Sequence, residues 1–270
     1  NTDWYDEMLK TSILTEHNLT VRGGSEKMNY SLSLGYLDNQ GIIDNSGSKK
    51  YSFRLNVDSK VNSWLDMGAN VFGSWKDTKP IDTNTFFSYI RGTTPGVIPQ
   101  YEDGRYGGTM FKDMVEVSNP RAYVDNIRGN YQRQKLGLKF YGKVKFLKFF
   151  EWESSFGFNY DNRYNWEYTN PYSLWDFQSG YEYQPKSNID KLMNGTRRDY
   201  STILNTLLRF NYSLNKEHNF AVLVGFDQQY NRMDKFDAKK SDILGNDAIY
   251  IMDAGVENEA ITGSGTDDAL

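Results

Sequence analysis

The residues of this chain that could do chemistry are few, and their spacing matches no common type of catalytic site. The sequence contains two histidines, His17 and His218, and no cysteine. Neither histidine has Asp, Glu or Cys partners at a metal-ligand spacing, and the chain lacks a nucleophile elbow, a phosphate loop and a dinucleotide fingerprint. Glu151 and Glu153 could imitate a glycosidase pair, but their Lys and Arg neighbours favour a simple charge pair. The sequence therefore predicts no enzyme activity, no metal and no cofactor.

Aromatic residues outside the regular alternating segments are the better candidates for binding. Flat aromatic faces stack on sugar rings or on apolar side chains of peptides, while nearby amides and carboxylates hydrogen-bond to hydroxyl groups. The alternative is that several of these residues only pack the loops together. The candidates for substrate contact are Phe86, Tyr89, Trp166, Tyr168, Tyr172, Trp175, Phe177 and Tyr181.

The overall composition is rich in aromatic residues and yet polar. Aromatic residues make up 16% of the chain, whereas the mean hydropathy is -0.71. No run of about 18 apolar residues exists, so the sequence predicts no transmembrane helix. The net charge of -4 gives no sign of nucleic-acid binding. Apolar groups in such a chain must be separated from polar ones by alternation, which points to β-strands.

Eight segments show this alternation, in which successive side chains point to opposite faces of a strand. The apolar set includes Leu19, Val21, Leu32, Leu34, Phe53, Leu55, Val71, Leu138, Phe140, Phe156, Phe158, Leu208, Phe210, Val222 and Val224. The opposite parity carries charges in mid-strand, which we expect to face a wet lumen: Arg54, Arg133, Lys135, Lys139, Glu151 and Arg209. The sequence therefore predicts an all-β fold, an antiparallel meander of about eight long strands.

The connections between these strands alternate in length. Short turns are predicted at 24–27, 59–64, 145–148 and 215–218, and long loops at 38–49, 77–130, 165–198 and from 238 onward. This alternation is typical of transmembrane β-barrels, which have tight periplasmic turns and long extracellular loops. All six prolines lie in two of the long loops, so none interrupts a strand. Short helices are expected at 3–14, capped by Asp3, and at 83–91.

Two other architectures fit part of the pattern. A secreted β-sandwich that serves as a glycan-binding or adhesin module also alternates apolar and polar residues. A small eight-stranded barrel could close on itself as a structural outer-membrane protein. The predicted strands of about 10 to 14 residues exceed the usual length in soluble proteins, and aromatic residues cluster near their ends, as in interfacial girdles. These features favour the transmembrane barrel over the sandwich.

Four segments near the start of the chain resemble one known family. The segments 2–7, 17–27, 33–41 and 51–60 read TDWYDE, HNLTVRGGSEK, SLGYLDNQG and YSFRLNVDSK. They resemble the SusC/RagA family of TonB-linked outer-membrane transporters of the Bacteroidetes. The tight match covers residues 2 to 74, and the rest follows the family's strand layout more loosely, including YEDGRY at 101–106.

The resemblance implies the architecture of a larger assembly. Such proteins have a 22-stranded barrel, an N-terminal plug and a SusD-like surface lipoprotein over the barrel mouth, and they import oligosaccharides or peptides across the outer membrane with TonB. Residues 1–270 would be a partial barrel domain whose strands are the second to the ninth. The plug, the first strand and the C-terminal strands would lie outside it, and we expect the Gly/Ser/Asp-rich run 262–268 to be an interrupted loop.

Overall fold

The fold is known from a computed structural model of the chain. It describes residues 1–108, 118–176, 179–185, 190–215 and 217–241, and the backbone of 261–269. The helices are α1 (Trp4–Met8), α2 (Thr83–Gly92) and α3 (Pro120–Asp125). The strands are β1 (Leu14–Gly24), β2 (Met28–Asn39), β3 (Ser48–Lys60), β4 (Leu65–Thr78), β5 (Tyr106–Gly107), β6 (Ile127–Phe146), β7 (Phe150–Thr169), β8 (Leu174–Asp176), β9 (Tyr181–Tyr183), β10 (Lys191–Leu214), β11 (His218–Ser241) and β12 (Ile261–Ala269).

One large antiparallel sheet dominates the fold, with the strand order β1-β2-β3-β4-β6-β7-β10-β11-β12. Every long strand pairs with its neighbour in sequence, so the predicted meander is confirmed. In the described part of the chain, β1 pairs only with β2, and β11 pairs with β10 and β12. The first and eighth strands therefore do not pair, which excludes the closed eight-stranded barrel for this sheet.

The register places the alternating apolar residues on one continuous face. Residues paired directly across neighbouring strands point to the same side of a sheet. One such row crosses six strands and consists of Val21, Leu32, Leu55, Val71, Leu138 and Phe158. These apolar side chains are not enclosed in a dry core, since Phe140 is 51% and Val224 61% exposed. This exposure argues against a β-sandwich.

The stagger of the short turns gives the strand tilt. Met28 at the start of β2 shares a row with Thr206 of β10, and β10 continues for eight more residues to Leu214. The β1–β2 and β10–β11 turns are thus offset by about 26 Å along the strands and about 29 Å across them. The resulting tilt of about 40° is that of a transmembrane barrel.

The height of the apolar face agrees with this tilt. Along β7 the apolar face runs from Phe150 to Tyr160, which is about 33 Å of strand or about 25 Å along the barrel axis, close to the usual apolar band. Beyond Tyr160 the same face becomes polar, because Asn162 pairs with Gln134 and with Arg198. The strands continue past the band.

Several predicted boundaries are wrong. Strands β6, β7, β10 and β11 have 20, 20, 24 and 24 residues, longer than predicted, because the apolar alternation that marked them stops where the apolar band ends. Trp166 and Tyr168 therefore lie on β7 rather than in a loop. The run 262–268, expected to be a loop, lies in β12 and pairs with β11, since backbone hydrogen bonds need no apolar pattern.

The helix expected at 3–14 is shorter, whereas the one expected at 83–91 is confirmed by α2. The side chain of Asp3 caps α1, accepting hydrogen bonds from the amides of Tyr5 and Asp6, so the predicted cap is correct. The helix ends at Met8 because Leu9 is extended and bridges to Ile43.

The long loops fold into a core of their own at one end of the sheet. We call it the loop core; its buried members are Trp4, Met8, Ile43, Ile81, Phe86, Ile90, Val97, Val124 and Ile127. Helices α1, α2 and α3 supply five of these residues, and Ile127, the first residue of β6, joins the core to the large sheet. The loop core holds the long connections in defined positions.

Candidate functional site

A small second sheet organises the connections that carry most of the predicted binding residues. Strand β8 pairs in parallel with β5 and antiparallel with β9. The buried side chain of Asn119 ties this loop sheet to α3. Its Nδ2 donates to the carbonyls of Pro99 at 2.9 Å and Gly107 at 2.8 Å, and its Oδ1 accepts from the amides of Arg121 and Ala122.

Aromatic rings gather around the loop sheet. Tyr106 and Tyr172 meet edge to face with 6.1 Å between ring centroids. The guanidinium of Arg105 lies 3.9 Å from the centre of the Trp175 ring, a stacked cation–π geometry. One face of Trp175 is therefore covered by a cation. Tyr181 on β9 is the most accessible ring of the group, at 54% exposed.

The other predicted contact residues are distributed differently. Phe86 is 0% and Tyr168 2% exposed, so both pack inside the protein and present no surface to a ligand. Tyr89 packs edge to face on Tyr123 of α3. Trp166 lines a separate groove of about 770 Å³ between the β2–β3 connection and the ends of β4 and β6. Phe177 lies outside the described residues.

Two carboxylates in the loops, Asp103 and Asp44, are paired with cations. A hydrogen bond of 2.8 Å from Nε of Arg105 holds the pKa of Asp103 below its usual value. Asp44 accepts from Lys10 at 2.6 Å and lies 3.4 Å from Arg121. The hydrogen bond from Lys10, aided by the charge of Arg121, lowers the pKa of Asp44. Carboxylates at these positions stay ionised over the physiological range.

The residues that alternate with the apolar ones along each strand point to the other side of the large sheet and form a charged face. All six residues predicted to face a lumen lie on it. Near the short turns, Arg209 contacts Glu151 at 2.7 Å and Glu153 at 3.1 Å, and Lys143 lies 3.5 and 3.7 Å from the same carboxylates. The interpretation of these two glutamates as a charge pair is confirmed.

Nearer the long loops, the charged face forms a groove of about 470 Å³. Its polar lining includes Lys135, Asn159, Asp161, Arg197, Asp199 and Ser201. Arg133 holds Asp161 with two nitrogens, and Arg197 donates from Nε to both oxygens of Asp199 at 3.0 Å. The groove combines fixed carboxylate acceptors with guanidinium and ammonium donors.

Within the described ranges, no group of three His, Cys, Asp or Glu residues is placed to hold a metal ion. None of the described helices combines the length and apolarity needed to cross a bilayer.

Comparisons with known proteins agree with this geometry, although no protein-family model matches the chain. A TonB-dependent receptor of Formosa agariphila is 25% identical over 228 residues, covering 84% of this chain and 21% of the relative. TonB-dependent receptor SusC of Bacteroides thetaiotaomicron is 23% identical over 261 residues, covering 85% of this chain and 24% of the relative. The RagAB peptide transporter structure superposes on 98% of this chain and 30% of its own, with a TM-score of 0.77 and 17% identity.

The similarity to these receptors in sequence and to RagAB in fold supports a relationship of the chain to the SusC/RagA-like TonB-dependent receptors. Its sheet is a segment of an outer-membrane barrel. The chain spans less than a quarter of the length of each curated relative named above. In the part of the chain that the structure describes, the sheet is not closed.

Sequence reasoning missed two residues that shape the loop region. Asn119 precedes Pro120, and an Asn followed by Pro is a signal for a helix N-cap with Pro at the first helical position. That dipeptide could have revealed α3. The contact between Arg105 and Trp175 had no comparable signal, because 70 residues separate them and only the pairing of β5 with β8 brings them together.

Proposed function

We propose that this chain is part of a TonB-dependent importer that carries a nutrient across the outer membrane. The observation that carries the proposal is the tilted sheet with one apolar and one charged face, in a chain whose relatives are TonB-dependent receptors. The apolar face meets lipid, and the charged face, with Arg54, Arg133, Lys135, Lys139, Glu151 and Arg209, lines the lumen. The relatives' names are those of receptors and transporters, which supports a role without catalysis.

The long loops form the extracellular entrance, where cargo is captured. The rings that remain accessible are Tyr89, Trp166, Tyr172, Trp175 and Tyr181. The cargo is an oligosaccharide, and a peptide is the second candidate, because a similar solved structure is described as a peptide transporter. A SusD-like lipoprotein covers the entrance, and TonB acts through a part of the protein outside residues 1–270. In the whole barrel, the chain supplies the second to the ninth strands.

Uptake by intact cells tests this proposal. Cells that express the full-length protein should accumulate a fluorescent oligosaccharide, and removal of TonB should abolish accumulation while surface binding persists. Accumulation that is independent of TonB would contradict the proposal.

Loop variants test the capture surface. Trp175→Ala combined with Tyr181→Ala should weaken surface capture at unchanged levels of assembled protein, because truncating stacked rings at a binding site costs up to a few kcal/mol. Trp64→Ala, at a short turn on the opposite end of the sheet, is the matched control and should capture cargo normally. Wild-type capture by the double variant would make these rings packing residues.

A further inference from the structure

A single pairing row on the charged face consists of basic residues over six neighbouring strands. We call it the basic row; its members are Lys50 (β3), Lys76 (β4), Arg133 (β6), Arg163 (β7), Arg197 (β10) and Lys235 (β11). Neighbouring strands are about 4.8 Å apart, so the row extends for about 24 Å. It lies above the apolar band, towards the long loops.

The like-charged pairs within the basic row are unfavourable for the sheet. Like charges directly opposite each other on paired strands are destabilising, and here five successive pairs are like-charged. Among the residues whose side chains the structure describes, the carboxylates next to it are Asp161 and Asp199, one row below, and Asp237 beside Lys235 at 2.5 Å. These three carboxylates against six cations leave three positive charges in excess, and Lys135 in the next row adds another. Glu16 continues the same row two strands beyond Lys50.

These cations are not all engaged by the carboxylates. Asp161 and Asp199 are held by Arg133 and Arg197, while Arg163 lies 3.4 and 3.8 Å from the same two groups. Lys50 and Lys76 make no ion pair with any described residue. Arg163, Arg133 and Arg197 have side chains 41 to 43% exposed, so solvent or a ligand can reach them.

We infer that the basic row binds the carboxylate or sulfate groups of an acidic oligosaccharide as it enters the barrel. The inference rests on the proposed import function and names the class of its cargo. Guanidinium groups bind such oxyanions through paired hydrogen bonds, and a cleft with one sign of charge raises the local concentration of counter-charged solutes. The 470 Å³ groove beside the row offers Asp161, Asp199, Asn159 and Ser201 to sugar hydroxyls. An acidic peptide has few hydroxyl donors to offer these carboxylates.

Binding to the purified intact protein in detergent tests the inference. The probes are a galacturonate oligosaccharide, a sulfated carrageenan oligosaccharide, neutral maltohexaose and hexaglutamate. The two acidic oligosaccharides should bind with an affinity that falls as salt rises. The variant Lys50→Gln, Lys76→Gln, Arg163→Gln should weaken their binding by about 10-fold or more.

Arg198→Gln is the matched control, because Arg198 neighbours the basic row on the opposite face of β10; it should bind like the wild type. Melting temperature and assembled barrel content should be similar in both variants, which separates a lost binding site from a misfolded sheet. The inference is overturned if the triple variant binds the acidic oligosaccharides normally, if maltohexaose binds as tightly as they do, or if hexaglutamate binds more tightly. Because binding in detergent needs no TonB, failure of energised import would leave this result intact.

Discussion

The large sheet and the loop core place their apolar side chains in opposite environments. Phe156 in the middle of β7 is 47% exposed, whereas Phe86 on α2 is 0% exposed. On the sheet, the apolar side chains form an outer surface that lipid covers; in the loop core they meet each other. One chain thus contains a membrane-type surface and a core of the kind found in water-soluble proteins.

A substitution should therefore have different effects in the two regions, because protein surrounds the side chains of the loop core and lipid surrounds those of the apolar face. In the loop core, a lost side chain leaves a cavity, because the surrounding residues can only partly relax. On the lipid face, acyl chains fill the same space, but a charge there loses its hydration. Truncations should therefore damage the loop core most, and introduced charges should damage the sheet most.

The largest effect is expected for Phe86→Ala. Removal of a fully buried ring costs about 3 to 5 kcal/mol, and we expect this cost to fall on the loop region and not on barrel assembly. Limited proteolysis should cut residues 80–125 faster, while heat-modifiable gel migration still reports a folded barrel. Ser88→Ala, exposed on the same helix, is the control. Loss of the barrel itself would show that the two regions do not fold separately.

A charge on the lipid face is expected to have the next largest effect. Phe156→Arg should cost about 2 to 4 kcal/mol near mid-membrane and lower the amount of inserted protein. Asn159→Arg, three residues further along β7, places the same side chain on the charged face and should insert normally. Immunoblots of outer-membrane fractions measure both. Equal insertion of the two variants would contradict the assignment of faces.

Loss of the Asn119 side chain should show where the boundary between the loop region and the large sheet lies. Asn119→Ala removes donors to two loop carbonyls and the cap of α3, leaving buried polar groups unpaired at a cost of about 1 to 3 kcal/mol. Hydrogen exchange should rise in α3 and in the loop sheet but not in β6 or β7. The exposed Asn84→Ala serves as a comparison. An increase confined to the large sheet would refute the role given to Asn119.

The smallest effect concerns pH and Asp44. The pKa of Asp44 is lowered by Lys10 in the folded protein, so its ion pairs add stability above its unfolded pKa, near 3.8, and lose it as pH falls through the lower folded value. Asp44→Asn should therefore make the loop region slightly less stable at pH 7, and the difference from wild type should begin to shrink near pH 4 and vanish only below the lowered folded pKa. Thermal unfolding monitored by loop proteolysis measures this. The exposed Glu102→Gln is the control and should be as stable as the wild type at pH 7, because Glu102 has no ion pair with any described residue.

The alternation of residues was enough to predict the large sheet. Its eight main strands and the separation of apolar and charged faces follow from a period of two along each segment, and the antiparallel order follows from the short turns between them. The stretches that were predicted incorrectly are those in which the alternation of apolar and polar residues is absent. Trp166 and Tyr168 lie beyond the apolar band, where both faces of β7 are polar or aromatic, and β12 consists mainly of small and polar residues.

The contacts between residues distant in sequence were decided by the tertiary structure alone. The sequence identified Phe86 as a binding candidate, but its place in the loop core buries it. Arg105 meets Trp175 only through strand pairing. Of the basic row, only Arg133 stood out beforehand, because a charge gives no sign of which residue faces it on the next strand. Alternation therefore determines which face a side chain points to, whereas register decides its neighbours, since register depends on turn lengths and pairing across the whole sheet.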